Sequence, residues 1–214
     1  MPRWSRSNPL ALAVLVSLYE KPMHPYEVAQ TLRARAKQES VRLNYGSLYA
    51  VVETLEKRGL IRAIESVREG KRPERTVYEI TDEGSTEMID WLTELLAVPA
   101  KEYPAFMAGL SFIGALTPDD AIGALRLRAE GLSYKLAQVR GALKTAQQMG
   151  LPRLFALESE YEEGQMANEL HFVTALLKEL ESGDFGDLDM WQAFHTEGPN
   201  PFEGVTFTQL PDPT

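Results

Sequence analysis

The feature that most constrains the fold of this chain is a long heptad pattern in its second half. Apolar residues recur between Ile122 and Ala146 with alternating spacings of three and four. Such a stripe, sustained over about four heptads, predicts one long helix that packs as in a coiled coil. At about 1.5 Å of rise per residue this helix is about 45 Å long, and it cannot bury its stripe alone.

A partner helix is predicted directly after a short turn. Gly150-Leu151-Pro152 provides the turn, and residues 153–181 carry a second apolar stripe that runs from Met166 to Leu180. A short connection makes two consecutive helices antiparallel neighbours. The second half of the chain is therefore expected to contain an antiparallel pair of long helices.

The first half contains a shorter amphipathic segment, Arg42 to Ile61. Leu48, Val51, Val52 and Leu55 recur at helical spacing, and small or polar residues fall on the opposite side. Gly59 stands where a helix end favours a residue that tolerates positive φ. A helix with a small polar outer face suits a DNA major groove, although any amphipathic helix shows the same pattern.

Two short helices are predicted before this segment. Asn8-Pro9 provides a cap and a first-turn proline for the first, and His24 is expected to cap a second that begins near Pro25. His24 has no second ligand at metal-binding spacing, so a turn or capping role is favoured. Three helices within about sixty residues are typical of a helix-turn-helix.

A β-hairpin with a basic tip is predicted after Gly59. The residues after Ile61 alternate in polarity, Thr76 to Ile80 is rich in β-forming residues, and the loop between them holds Lys71, Arg72 and Arg75. A hairpin at this position makes the domain a winged helix-turn-helix. Its cations could lie along phosphates or enter a minor groove, although a basic tip alone is usually a solvated loop.

The charge is distributed unevenly along the chain. The net charge is -9, yet residues 1–80 carry 14 basic against 9 acidic residues and residues 81–214 carry 8 against 22. A basic first part (+5) and an acidic remainder (-14) indicate that one part faces an anion while the other is kept away from it. Chance clustering of solvated charges is the alternative.

Composition excludes several classes of protein. There is no cysteine, which removes thiolate metal sites and cysteine nucleophiles and fits the cytoplasm, and the Leu10 to Leu18 apolar run is too short for a bilayer. No signal peptide, phosphate-binding glycine loop or nucleophile–base pair is recognised. We therefore expect no enzyme activity, no metal and no cofactor.

The motifs of the first half together resemble the PadR family of transcriptional regulators. The resemblance covers residues 8–97 and rests on the segment PMHPYEVAQTL, on Gly46-Ser47-Leu48-Tyr49 and on the run from Tyr78 to Gly84. Lys21 and Pro25 stand where the family usually has glycines. The resemblance implies a DNA-binding domain, and the residues expected to contact double-stranded DNA are Arg42, Asn44, Tyr45, Ser47, Tyr49, Lys71, Arg72 and Arg75.

The second half resembles the virulence-activator-type helical domain of longer PadR proteins. That resemblance implies a homodimer formed by exchange of long helices, although any antiparallel helical pair has similar stripes. The residues expected at the dimer interface are Leu125, Leu132, Leu136, Val139, Leu170, Val173 and Leu177.

The predicted protein is mainly α and has three parts. Residues 1–98 form the winged helix-turn-helix, residues 99–182 form the helical dimerisation domain with a buried helix at 103–116, and residues 183–214 form an irregular tail with aromatic residues that dock in part on that domain.

The predicted function is that of a homodimeric repressor on an inverted-repeat operator. The family resemblance implies release by a small aromatic or drug-like effector, whose candidate contacts are Trp91, Tyr103, Phe106 and Met107, residues that ordinary core packing would also explain. The alternative is a winged-helix interaction module that dimerises without binding DNA.

Overall fold

The computed structural model describes residues 6, 8–37, 40–67 and 75–196, with the backbone alone at 65–67 and 75. The chain divides into two compact units, Met1–Glu102 and Tyr103–Thr214. The first holds the predicted winged helix-turn-helix and the second the predicted pair of long helices, so the mainly helical fold class is confirmed.

The first unit begins with three capped helices. They are α1 (Pro9–Glu20), α2 (Pro25–Ala34) and α3 (Tyr45–Lys57). Asn8 caps α1 with its side chain, and His24 caps α2 in a reciprocal arrangement with Glu27, as the sequence predicted for both. Gly59 follows α3 with φ of +73°, a backbone conformation that glycine adopts without strain.

A two-stranded antiparallel sheet and a fourth helix complete this unit. The strands β1 (Ile61–Val67) and β2 (Arg75–Ile80) pair with Ile61 opposite Ile80, and α4 (Asp82–Ala97) follows. Met23, in the connection between α1 and α2, pairs with Tyr78 through two backbone hydrogen bonds of 3.0 Å. The base of the wing is thus joined to the helix-turn-helix by backbone hydrogen bonds as well as by packing.

One apolar core holds these elements together. The buried stripe of α1 packs against Leu48, Val52 and Leu55 of α3, and Trp91 of α4 is buried in the same cluster with 1% of its surface exposed. Burial of a large apolar side chain contributes about 2 kcal/mol or more. Because α3 supplies several of these side chains, its position and rotation are fixed by the core.

The second unit is built on two long helices. Its helices are α5 (Ala105–Ser111), α6 (Pro118–Gln148), α7 (Leu157–Ser182) and α8 (Leu188–Thr196), with 3₁₀ turns at Ile113–Ala115 and Arg153–Phe155. Thr117 caps α6 with its side chain. Arg126, near the start of α6, pairs with Glu181 near the end of α7, and Arg140, farther along α6, pairs with Glu163 near the start of α7. The long helices are therefore antiparallel.

Two segments of this unit differ from the sequence prediction. The apolar stretch at 103–116 was expected to be a buried helix, but it forms the short α5 and a 3₁₀ turn with no fully buried residue. Its apolar residues lack a single helical stripe, so Phe106 and Ile113 pack on the unit's core while Phe112 is exposed.

Among the described residues no helix is long and apolar enough to cross a membrane.

The tail is not irregular throughout. Residues 188–196 form α8, because Leu188, Trp191 and Phe194 lie three residues apart and give one apolar helical face. That face packs on the core of α6 and α7, and the Trp191 indole donates a hydrogen bond of 2.8 Å to the Leu116 carbonyl oxygen. Partial docking of the tail was predicted, whereas its helix was missed. The remainder of the predicted tail lies outside the described residues.

Candidate nucleic-acid interface

The outward face of α3 is polar and begins at a capped end. The Asn44 side-chain oxygen accepts a hydrogen bond of 2.9 Å from the Gly46 N–H, and the Asn44 carbonyl accepts from Leu48. Ser47 and Tyr49 are exposed beyond this cap, while Leu48 between them is fully buried. Asn44 therefore fixes the start of the helix, and its side-chain amide retains N–H donors for a ligand.

A cluster of aromatic and basic side chains surrounds the start of α3. The rings of Tyr26 and Tyr45 stack with centroids 6.1 Å apart and an angle of 11° between their planes. The Arg33 guanidinium lies over the Tyr45 ring, 4.6 Å from its centroid, and donates a hydrogen bond to the Tyr45 hydroxyl. Tyr45 is thus held by two residues of α2.

The second exposed tyrosine of α3 has a neighbour of its own. The Tyr49 ring meets the His24 ring edge-on with centroids 6.5 Å apart, and 48% of the Tyr49 surface is exposed. His24 is held in turn because its Nδ1 accepts a hydrogen bond of 3.0 Å from the Tyr26 N–H. The residue that caps α2 therefore also lies against the outward face of α3.

Sequence reasoning missed two members of this surface, Tyr26 and Arg33. They lie seven residues apart on α2 and therefore share a helical face, which is a spacing that the sequence contains. The contact between that face and Tyr45 is a tertiary one, and residue spacing alone does not show it.

The predicted basic residues are placed only in part. Arg42 is exposed just before α3. Lys71 and Arg72 lie outside the described residues, and so does the side chain of Arg75, whose backbone begins β2.

The far end of α3 is joined to α4 by a polar contact and a close approach. The Thr81 hydroxyl donates a hydrogen bond of 2.7 Å to the Gly59 carbonyl and accepts one of 3.0 Å from the Gly84 N–H. A Cβ atom at Gly84 would lie 1.9 Å from the Leu60 carbonyl oxygen, so only glycine fits there. The helix α3 is consequently held at both of its ends.

Ionisable groups near α3 are shifted by their neighbours. Burial raises the pKa of the Tyr78 hydroxyl, and the carboxylates of Glu56 and Glu53 raise it further. On α3 itself, the hydrogen bond from Lys57 lowers the pKa of Glu53. This pair lies toward the end of the helix, so the start of α3 is the part whose polar face carries no acid.

Comparison with known proteins identifies the first unit. A family model described as the transcriptional regulator PadR-like family matches residues 14–90, a range that includes α2, α3 and both strands. The amino-terminal unit belongs to the PadR-like family of transcriptional regulators. No curated protein is significantly similar to the chain in sequence.

Solved structures of PadR and of a virulence activator share the fold of most of this chain. The structure of Bacillus subtilis PadR in complex with operator DNA is 19% identical with a TM-score of 0.67, over 81% of this chain and 99% of that one. The virulence activator AphA of Vibrio cholerae is 15% identical with a TM-score of 0.61, over 81% and 98%. At these identities the likeness establishes the fold.

The four predicted effector contacts of this chain do not share one environment. Trp91 is part of the first unit's core, so its ring is occupied by packing. Tyr103 and Met107 are 84% and 62% exposed. Phe106 lines a cavity of about 200 Å³ with Leu110, Leu125 and Arg128, and the Arg128 guanidinium lies 3.8 Å from the Phe106 ring centroid.

The predicted dimerisation residues already have partners within the chain. Leu125, Val173 and Leu177 are buried in one cluster, Leu132 packs against it, Leu136 is buried, and Val139 and Leu170 are half-buried. A heptad stripe shows that a helix needs a partner but does not show which chain supplies it. Here α6 and α7 of one chain satisfy much of that need.

Proposed function

We propose that this PadR-family regulator is a homodimeric DNA-binding repressor that a small aromatic effector releases from its operator. Each first unit would place the start of α3 in a major-groove half-site, with Asn44, Ser47 and Tyr49 as uncharged donors and Arg42 as a cation. The wing, with Lys71, Arg72 and Arg75, would lie on the flanking DNA backbone.

The observation that supports DNA binding most is the construction of α3. Its apolar side is buried in the core, its ends are fixed by Asn44 and Thr81, and its exposed first turns carry hydroxyl and amide groups. A rigid helix whose outward face consists of short polar groups suits hydrogen bonding to base edges and phosphates. Bacillus subtilis PadR, which shares the fold, has been solved with operator DNA.

An electrophoretic shift with the DNA upstream of the protein's own gene tests this function. We expect retarded complexes that a scrambled duplex does not compete away, and a footprint with two-fold symmetry and half-sites about one helical turn apart. Arg72→Ala should weaken binding to all sequences and flatten the salt dependence by about one unit. Wild-type protein that binds neither duplex would favour the interaction module.

Dimerisation is supported by apolar side chains of α6 and α7 that stay exposed to solvent in the single chain. Leu127 and Tyr134 on α6 and Tyr161 and Phe172 on α7 are exposed. Exposed apolar groups of this size commonly mark an interface. Sedimentation equilibrium should give a dimer, and Leu127→Glu combined with Tyr134→Glu should give a monomer. A wild-type monomer at the concentrations that bind DNA would contradict the proposal.

Effector binding is supported by the cavity beside Phe106. Its apolar walls suit a flat apolar or aromatic molecule, and the Arg128 guanidinium at its side already pairs with Glu169. Bacillus subtilis PadR has been solved in complex with p-coumaric acid, at 18% identity and a TM-score of 0.63 over 80% of this chain and 95% of that one.

This acid is therefore the first probe for the effector. We expect it to dissociate the wild-type complex with DNA and to have a much weaker effect on Phe106→Ala. An equal response of the two proteins would place the effector elsewhere.

A further inference from the structure

Arginines in this structure are, as a rule, paired with carboxylates. Seven described guanidinium groups form ion pairs with Asp or Glu side chains, and they belong to Arg6, Arg35, Arg62, Arg126, Arg128, Arg140 and Arg153. Arg33 departs from this pattern. Its described polar contact is the Tyr45 hydroxyl, a neutral group, so its positive charge is not balanced by a described acid.

The guanidinium of Arg33 is nevertheless held in place. Its face lies over the Tyr45 ring and one of its N–H groups bonds the Tyr45 hydroxyl, while Tyr26 stacks with the same ring. An exposed arginine normally loses rotamer entropy when it binds a ligand. Here the contact with the Tyr45 ring and the hydrogen bond to the Tyr45 hydroxyl have already restricted it, while the side chain stays exposed to solvent.

A fixed, exposed guanidinium with remaining N–H donors suits one class of ligand. Its planar fork matches two oxygens of a phosphate, and the bonds are charge-assisted. The Tyr45 ring and hydroxyl offer no negative charge that would compete with that ligand. Arg33 lies beside the start of α3, which is the end of the helix proposed to enter the groove.

We propose that Arg33 binds a DNA backbone phosphate next to the half-site, and that Tyr45 is the positioning residue that aims it. The proposal rests on the proposed function, and it changes the expected role of Tyr45. The hydroxyl of Tyr45 then serves to orient a cation, whereas the sequence suggested that it touches base edges or phosphates itself.

The test compares Arg33→Ala with Arg35→Ala in titrations at several salt concentrations. Arg35 is two residues away and is already paired with Glu20, so it is a matched control. The probes are a mixed-sequence duplex long enough for two half-sites and the duplex that wild-type protein enriches from a randomised pool. For Arg33→Ala we expect affinity about tenfold lower on both duplexes and a salt slope smaller by about one unit per subunit. Arg35→Ala should behave as the wild type.

Two further variants separate positioning from charge. Arg33→Lys keeps the charge but loses the planar fork, so we expect the wild-type salt slope with reduced affinity. Tyr45→Phe removes only the hydroxyl, and we expect about threefold weaker binding in the wild-type background but little change in the Arg33→Ala background. Circular dichroism of each variant should match the wild type, because all three side chains are exposed.

The outcomes distinguish this inference from the proposed function. A wild-type protein without salt-dependent binding to either duplex would overturn both. Binding by the wild type with an unchanged slope in Arg33→Ala would overturn the phosphate contact alone. A loss of affinity that depends on the identity of one base pair in the enriched duplex would also overturn it, because Arg33 would then read a base. Additive effects of the Arg33 and Tyr45 changes would overturn the positioning role.

Discussion

The hydroxyl of Thr81 bonds the carbonyl oxygen of Gly59 over 2.7 Å, and this joins the end of α3 to the start of α4. The same hydroxyl accepts from the Gly84 N–H at 3.0 Å and so caps α4. One side chain therefore serves two helix ends that are distant in sequence.

Thr81→Val should destabilise the first unit by about 2 kcal/mol, because it removes a helix cap and a second hydrogen bond while it keeps the shape of the side chain. Hydrogen exchange of the α3 and α4 amides measures the change. Thr86→Val is the control and should be nearly neutral, since the described hydrogen bond of the Thr86 hydroxyl is to the Asp82 carbonyl of its own helix. Equal effects of the two changes would contradict the bridging role.

Gly84→Ala should destabilise the same unit by about 3 kcal/mol, because the added Cβ atom would meet the Leu60 carbonyl at 1.9 Å and the backbone would have to move. Chemical denaturation followed by circular dichroism measures this. Gly131→Ala in α6 meets nothing within 4 Å and should stabilise its helix by about 0.5 to 1 kcal/mol. A tolerated Gly84→Ala would show that α4 approaches the strand less closely.

Tyr78 should make the first unit less stable at high pH. Burial, with help from Glu56, raises its pKa above the value of 10.0 that it has when exposed, so the folded state favours the protonated form. The stabilisation is complete below pH 10 and is lost as the pH rises through the raised pKa.

Denaturation midpoints, measured across this range, should fall more steeply with pH for the wild type than for Tyr78→Phe. Tyr19, which is exposed on α1, provides the control, and Tyr19→Phe should keep the wild-type decline. A constant difference between the wild type and Tyr78→Phe at all pH values would contradict the assignment.

Trp191→Phe should release α8 from the second unit. The change removes the hydrogen bond to the Leu116 carbonyl and part of the buried surface, at a cost of about 2 kcal/mol. Amides of residues 188–196 should then exchange faster while those in the middle of α6 and α7 stay protected. Gln192→Ala changes an exposed neighbour on the same helix and should leave exchange unaltered. Uniformly faster exchange of α6 and α7 would instead indicate that Trp191 supports the whole unit.

Features that depend on local chemistry were predicted from the sequence. Asn8 and His24 cap helices because their side chains reach N–H groups a few residues ahead, and Gly59 takes positive φ because no Cβ atom opposes it. The strands of the wing were predicted from the alternating polarity after Ile61, because successive side chains of a strand point to opposite faces of the sheet.

Features that depend on contacts between distant residues were not predicted. The hydrogen bond between Arg33 and Tyr45 joins two helices, and α8 forms where one face of a polar segment meets the core. The heptad stripe required a partner for α6, but whether Val173 and Leu177 meet Leu125 of the same chain or of another is decided by the turn between the helices.

The backbone pairing of Met23 with Tyr78 limits how DNA binding can be regulated. Because it joins the base of the wing to the α1–α2 connection, while the core holds α3, the first unit presents the base of the wing and the helix as a single rigid surface. Reshaping that surface would break hydrogen bonds and core contacts together. In the proposed dimer, an effector would therefore act on the spacing or tilt of two intact DNA-binding units. The half-site spacing that the dimer can bind would be the quantity that it controls.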